Sequence, residues 1–579
     1  MLRSVNLWHS RTVARKNWIS NEWKRTFKNE KSDKATTECV RQLHNDSEFR
    51  EAAENVSREF CELVESLNTN TALYRKLKSS EVSENARFDD VDRRTLALLL
   101  DDFEQSGVHL EDGQKAEFVQ LSSDIFDSGA RFQENCDRIA SVGKFDQAKY
   151  GLPSQIYSPV SNSLDSSKRK MVYNTFYRHD DRQEKYLRNL ISSRHQLALL
   201  TGFESFAHRA QRNSLLDDYN NAKTFLWGVV EKCRGAFEKE LAVLIDISAQ
   251  CNQQDRDGND GVNTIAEHDL GFLMHLYRKA LDEQNNELGV IYIDSSIRSE
   301  KAVGDCHYTV RCSKLLDDGT WQMPILVLSL SLVDGHSRNW KDSRISIHSA
   351  ETMFHELGHA MHSILGRTKY QHVAGTRCPQ DFSEIPSNLM EYFFSNLNVM
   401  RDIIRRTDRD EDQLSVESAA TLLASRHSFT AIETVQQAAY GLYDLEVHGP
   451  IAAPQIATGR MTTTELFHDI MNKAMPHVHR SPDSAFQHRF HHTVQYGAKY
   501  YSYLVARASA CLIWQERFLD EPFSRKWGNC WAEVQSHGGG HHPAVLLENI
   551  LGFRPSSKDL TLALSKESQH LANLDAVTV

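Results

Sequence analysis

His355-Glu356-Leu357-Gly358-His359 packs two imidazoles and a carboxylate into five residues. A helix turns once every 3.6 residues, so side chains four apart point the same way. On a helix, His355 and His359 could each offer a nitrogen to one zinc ion. Glu356 would then lie beside that ion, where it could take a proton from a bound water. This H-E-x-x-H spacing points to metal-dependent hydrolysis.

The motif needs a helix to work, and its surroundings favour one. Residues 349–366 form one predicted helix, with Ser349 as a cap, Glu351 and Glu356 as helix formers and Gly366 at its end. Met353, Leu357, Met361, Ile364 and Leu365 make an apolar stripe beside the histidines. Gly358 is unfavourable mid-helix and suits close approach by a substrate or a second helix. A third ligand is required, with the fourth position left for water. One family of such enzymes would need Gly at 362 and His at 365. The chain has His362 and Leu365, which excludes it. The next acids are Asp381 and Glu384, ahead of a predicted second helix with Pro386 in its first turn. Glu384 and Glu391 are seven apart and share a face, so spacing alone allows either as ligand. Glu391 also suits a buried carboxylate, or one that supports a ligand histidine.

The runs His355–His362, Gly375-Thr376-Arg377 and Asp381–Ser387 resemble the thimet-oligopeptidase type of metallopeptidase. Leu365–Val373 and Tyr496–Tyr503 are similar to a mitochondrial branch of that family, and weaker similarity runs from Glu48 to Gly540. The resemblance implies a mainly α, two-lobed helical metallopeptidase, with a small β-sheet before the zinc-binding helix and a deep substrate channel. It implies one Zn2+ held by His355, His359 and Glu384, with Glu356 as general base. It also implies His492, Tyr496 and Tyr503 on a late helix as substrate-binding and transition-state residues. Tyr500 shares their spacing but could equally pack in the core. His491 and His492 cannot both face one cleft, and the resemblance favours His492. Asp381 is expected to hold a ligand histidine by its other nitrogen, as zinc histidines usually require.

For the mitochondrial branch the implied activity is removal of a short N-terminal peptide from imported precursors in the matrix. Precursor polypeptides or oligopeptides are the expected partners, and a monomer the expected state. A general oligopeptidase acting on free peptides is the second reading. A third comes from a departure: the family carries a Trp-Asp-containing segment and a further helical block before Gly289–Ile293. Here there is only a polar run, Asn252 to Gly261, and one predicted helix, Leu270 to Leu281. The stretch before Asp46 is also short for the family. An inactive peptide-binding scaffold is the reading this departure favours.

The chain has 579 residues, 40% hydrophobic and 25% charged, with a net charge of −11, values that suit a soluble globular protein. No basic stripe or zinc-knuckle spacing suggests nucleic acid. Ten cysteines are scattered without a C-x-x-C pair, which favours reduced thiols. No apolar run reaches the roughly 18 residues of a membrane span, so no stable membrane insertion is expected. Arg3, Arg11, Arg15 and Lys16 precede the first acid, Glu22, a pattern compatible with a transit peptide. The expected division is a basic segment at 1–34, a helical region at 35–285 and a catalytic region at 286–579.

Helical periodicity dominates. Phe49, Ala53, Val56, Phe60, Leu63 and Leu67 make one apolar face, capped by Asp46 or Ser47 and broken at 68–70. Leu187, Leu190, Ile191 and Leu197 make another, closed at Gly202, and Phe225 to Ile247 a longer one. Strand signals cluster between Val290 and Leu332, as a small sheet whose edge could pair with an extended peptide. Gly538-Gly539-Gly540, flanked by His537, His541 and His542, reads as a mobile loop that could clamp substrate or, less simply, bind a second metal.

Overall fold

The computed structural model describes residues 68–83, 88–136, 138–159, 166–251, 265–266, 290–297, 305–316, 319–334, 347–403 and 429–578, with isolated positions in 40–56 and 415–419. The transit-like segment at 1–34 and the expected helix at 270–281 lie outside these residues, as does the polar run at 252–261.

The described chain is mainly helical. Helix α1 (Asp90–Gln105) starts at a reciprocal cap, in which Asp89 accepts from the Asp92 N–H and Asp92 from the Asp89 N–H. Helix α2 (Asp112–Cys136) packs along α3 (Asp181–Leu200). Asp180 caps α3, and the expected face of Leu187, Leu190, Ile191 and Leu197 is buried. Gly202, with φ of +86°, turns the chain out of it, a conformation glycine adopts without strain. The short α4 (Phe206–Gln211) leads into α5 (Tyr219–Cys251), whose Phe225, Leu226, Val229, Val230 and Phe237 are buried at the centre of the main core.

The expected sheet has three strands. β1 (Val290–Ile297) runs parallel to β3 (Ile325–Asp334), and β2 (Cys306–Arg311) runs antiparallel to β3 on its other side. Alternate residues of a strand share a face. Leu326, Leu328 and Leu330 of β3 thus pack together on Ala360 and Ile364 of the next helix, α6 (Ile347–Leu365). Helix α6 starts two residues before Ser349, which therefore lies in its first turn and does not cap it.

A four-residue helix, α7 (Gln380–Ser383), joins at Glu384 to α8 (Ile385–Phe394), with Pro386 in the first turn. Helix α9 (Thr430–Val447) packs on α5. The late segment departs from the expected single helix. Helix α10 (His492–Gln495) ends before Tyr496, and α11 (Tyr501–Ile513) begins after Tyr500. The chain closes with α12 (Ser557–Thr578), packed on α5 and α11. One cluster of buried side chains draws Phe132, Leu190 and Phe225 together with Leu442, Val505 and Leu564, so the core spans both sides of residue 285.

Candidate metal centre and its surroundings

Helix α6 presents His355 and His359 on one face, with ring centroids 5.0 Å apart. The junction of α7 and α8 brings in Glu384. Its Oε2 lies 3.6 Å from His355 Nε2 and 3.3 Å from His359 Nε2. One donor atom from each of these three residues lies within 4.8 Å of the others, and among the described residues no other group of histidine, cysteine or acid side chains does so.

Close approach of α6 and α8 depends on Gly358. A Cβ there would sit 2.5 Å from Ser387 Cα and 2.6 Å from Pro386 O. The missing side chain thus lets α8 cross α6 one residue before His359. Beyond α6, Gly375 donates its N–H to Gly366 O at 2.9 Å and closes the turn back toward α7.

The second nitrogen of His355 meets Glu391, with Nδ1 2.6 Å from Oε1. Glu391 thus lies against the outer nitrogen of His355, while Glu384 shares the donor cluster. The expectation for Asp381 is corrected. Its Oδ2 accepts from the Leu215 N–H at 2.7 Å and from the Tyr501 hydroxyl at 2.9 Å. Asp381 therefore ties α7 to α11 and to the turn before α5, rather than orienting a histidine. Burial pushes its carboxyl up to about 6 against those bonds.

The electrostatics favour a cation here. Burial opposes charge on His355, yet the carboxylates of Glu384 and Glu391 overcome it and hold the imidazole up at about 10. Glu384 stays far below the usual carboxylate range despite burial, because both histidines face it. Glu356 behaves differently. It is buried, its carboxyl is pushed up by that burial, and its Oε2 has no hydrogen-bond partner among the described residues. Two imidazole nitrogens, a carboxylate oxygen and an orphaned buried acid beside them fit a zinc ion with a bound water.

His492, Tyr496, Tyr500 and Tyr503 form one aromatic group. The His492 ring lies 6.2, 5.2 and 5.9 Å from those of Tyr496, Tyr500 and Tyr503. His491 is exposed and His492 half-buried, so His492 is the histidine of the group. Burial lowers His492 to about 4, which leaves it neutral at physiological pH. Burial first, then Glu384, raises the Tyr503 phenol, which sets Tyr503 within the field of the donor cluster. Tyr496 is 40% exposed. Tyr500 is buried and gives its hydroxyl to Gln437 Oε1 at 2.5 Å, a packing role.

This group sits on a break held from elsewhere. Ala498 has a φ of +60°, and Asp444 of α9 accepts from the N–H of Ala498 at 3.0 Å and of Tyr500 at 2.9 Å. Buried Arg194 of α3 donates to the carbonyls of Thr493 and Val494. Sequence reasoning missed Asp444 and Arg194, since neither has a local signature. It also missed His307 of β2, whose ring lies against His359 with centroids 6.1 Å apart. The glycine run is packed rather than loose: Gly539 N–H donates to Val373 O at 2.8 Å, and a Cβ at Gly538 or Gly539 would overlap the backbone of 373–377. His537 and His541 contact each other, while His542 lies 3.6 Å from Asp217.

A family model described as Peptidase family M3 matches residues 277–566, over the sheet, the donor cluster and the aromatic group. The chain belongs to peptidase family M3. It is 32% identical to the mitochondrial intermediate peptidase of Mus musculus, over 92% of this chain and 81% of the relative. The enzyme of that name from Pongo abelii is 31% identical, over 91% and 80%, and that from Schizophyllum commune 27%, over 89% and 79%. The Pongo alignment spans 591 residues, more than 91% of this chain supplies, so that relative carries internal residues lacking here. Among solved structures, PZ peptidase A with an inhibitor aligns at a TM-score of 0.61 and 15% identity, over 93% of this chain and 89% of that one. A carboxypeptidase of Pyrococcus furiosus aligns at 0.53 and 12%, over 92% and 95%. These likenesses establish the two-lobed, mainly helical peptidase fold. Among the described residues, no helix is long and apolar enough to cross a membrane.

Proposed function

We propose that this family M3 member is a zinc endopeptidase that removes a short N-terminal peptide from precursor proteins imported into the mitochondrial matrix. The observation that carries the chemistry is the convergence of His355, His359 and Glu384 beside a buried Glu356 whose Oε2 has no hydrogen-bond partner among the described residues. Support for the substrate comes from the relatives, which bear the name mitochondrial intermediate peptidase in vertebrates and fungi alike.

His355, His359 and Glu384 would hold the zinc ion. When bound, zinc polarises the scissile carbonyl and makes its water acidic near neutral pH. Glu391 accepts the Nδ1–H of His355, fixing the tautomer that leaves the Nε2 lone pair free for the metal. Glu356, with its affinity for a proton raised by burial, takes the proton of the attacking water and passes it to the leaving amine. Neutral His492 and the phenol of Tyr503 donate to the oxyanion that develops on the carbonyl, and exposed Tyr496 binds substrate. β2, the sheet strand that places His307 on His359, is suited to align an extended peptide along the site.

The test incubates the purified protein with a partly processed matrix precursor and, separately, with unrelated short peptides. Removal of one N-terminal piece of fixed length supports the proposal. Scattered cuts in short peptides, with the precursor untouched, would replace it with general oligopeptide degradation. No cleavage by zinc-loaded wild type would favour a peptide-binding scaffold.

A further inference from the structure

Beside Tyr496 lies a cavity of about 390 Å3 whose wall carries four cationic side chains: Arg194, Arg209, Arg212 and Lys499. Tyr496 and Gln380 also line it. Gln380 lies four residues before Glu384, and Tyr496 belongs to the aromatic group, so the cavity adjoins the candidate active site.

The four charges are not equally spent. Arg212 is paired with Asp101 at 2.5 Å and Glu104 at 3.4 Å. Arg194 holds the carbonyls of Thr493 and Val494 and contacts His448, but its buried Nε–H has no acceptor among the described residues. Arg209 donates once, to Gln105 O at 3.0 Å, and its Nε–H is likewise buried without an acceptor. Lys499, at an exposed position of the wall, makes no side-chain hydrogen bond or ion pair within the described residues. Burial lowers Arg209, so its charged form is held at a cost. An incoming anion would relieve that cost through charge-assisted hydrogen bonds. The chain as a whole carries a net charge of −11, so this cavity stands out against its own background.

We propose that this cavity is a specificity subsite that binds a carboxylate of the peptide substrate, through Lys499 and Arg209, next to the bond to be cut. A carboxylate matches the planar guanidinium and the lysine point charge. It is present on every peptide, either as an Asp or Glu side chain or as the C-terminus. The inference rests on the peptidase reading and adds a substrate feature to it.

The test measures binding separately from turnover. Fluorescent peptides are titrated onto zinc-loaded E356Q protein. One set has Glu or Gln in turn at each position around the cut, and one pair carries a free or amidated C-terminus. The expected result is about tenfold tighter binding of one acidic form over its neutral counterpart, the difference of one charge-assisted hydrogen bond. Preference confined to one internal position identifies a side-chain carboxylate, and preference for the free terminus identifies the C-terminal one. Adding K499M should bring the two forms within about threefold, and K499R should restore the gap. Equal binding of all pairs, or a preference that K499M leaves intact, overturns the inference. If no peptide binds, the inference falls with it. Failure of wild type to cleave any peptide sinks the peptidase reading, and the acidic preference in binding is read independently of that result.

Discussion

Glu391 and Asp381 show what the sequence leaves undecided at the scale of single residues. Both acids lie near His355 and His359 in sequence, and either could have backed a histidine. Helix phase decides between them: Glu391 lies two turns along α8 and reaches His355 Nδ1 at 2.6 Å, while Asp381 turns to Leu215 and Tyr501. The histidine pair itself was legible, because its spacing is local. Replacing Glu391 with Gln should lower zinc affinity by about 10- to 100-fold, measured by competition with a chelator. Unchanged affinity would remove Glu391 from the centre. Glu356→Gln should cut peptide cleavage by about a thousandfold or more, with the zinc content of wild type. Loss of zinc alongside activity would instead make Glu356 a ligand or a structural acid.

At the scale of elements, two close approaches shape the centre. The crossing of α6 and α8 has its signature in sequence, a glycine inside the H-E-x-x-H helix, and the structure places Ser387 and Pro386 against it. Gly358→Ala should force the helices apart and cost about 1–3 kcal/mol. The zinc affinity should fall with it, so thermal unfolding and chelator titration would move together. A variant as stable and as tight for zinc as wild type would show that the crossing has room to spare. The break between α10 and α11 had no such signature. Ala498 adopts a left-handed conformation that alanine disfavours, and Asp444, from α9, imposes it. Spacing alone therefore read Tyr496, Tyr500 and Tyr503 as one helical stripe. Asp444→Ala should loosen this segment and lower kcat by about tenfold or more through misplaced Tyr503 and His492, with zinc content kept. A rise in KM with kcat unchanged would contradict that positioning role.

Across the whole molecule, the main core joins residues from both sides of the sheet and metal helix, and buried polar ties hold distant parts in register. Glu184 of α3 accepts from the Thr463 N–H at 3.0 Å and from His488 Nε2 at 2.9 Å. Burial opposes its charge, but these bonds win and hold its carboxyl down at about 2, below the ordinary 4.5. A depressed acid stabilises the fold above its unfolded pKa and loses that contribution as pH falls through the folded value. The tie thus adds stability at pH 7 that fades between about pH 4.5 and 2. Glu184→Gln should lower the melting temperature most above pH 5, with the gap to wild type narrowing toward pH 3. A gap that does not change with pH would assign the effect to packing. Long-range ties of this kind were beyond a reading of local periodicity, whereas the helical class, the small sheet and the shared face of His355 and His359 were within it; Glu384 came from the family resemblance alone. The central claim is that two helices grip one zinc ion. Anomalous X-ray scattering at the zinc edge, from crystals of the zinc-loaded protein, tests it most directly. The account predicts one strong peak within bonding distance of His355 Nε2, His359 Nε2 and Glu384, with Glu356 alongside but not bonded. A crystal that holds zinc elsewhere, with no peak between those three side chains, would contradict it.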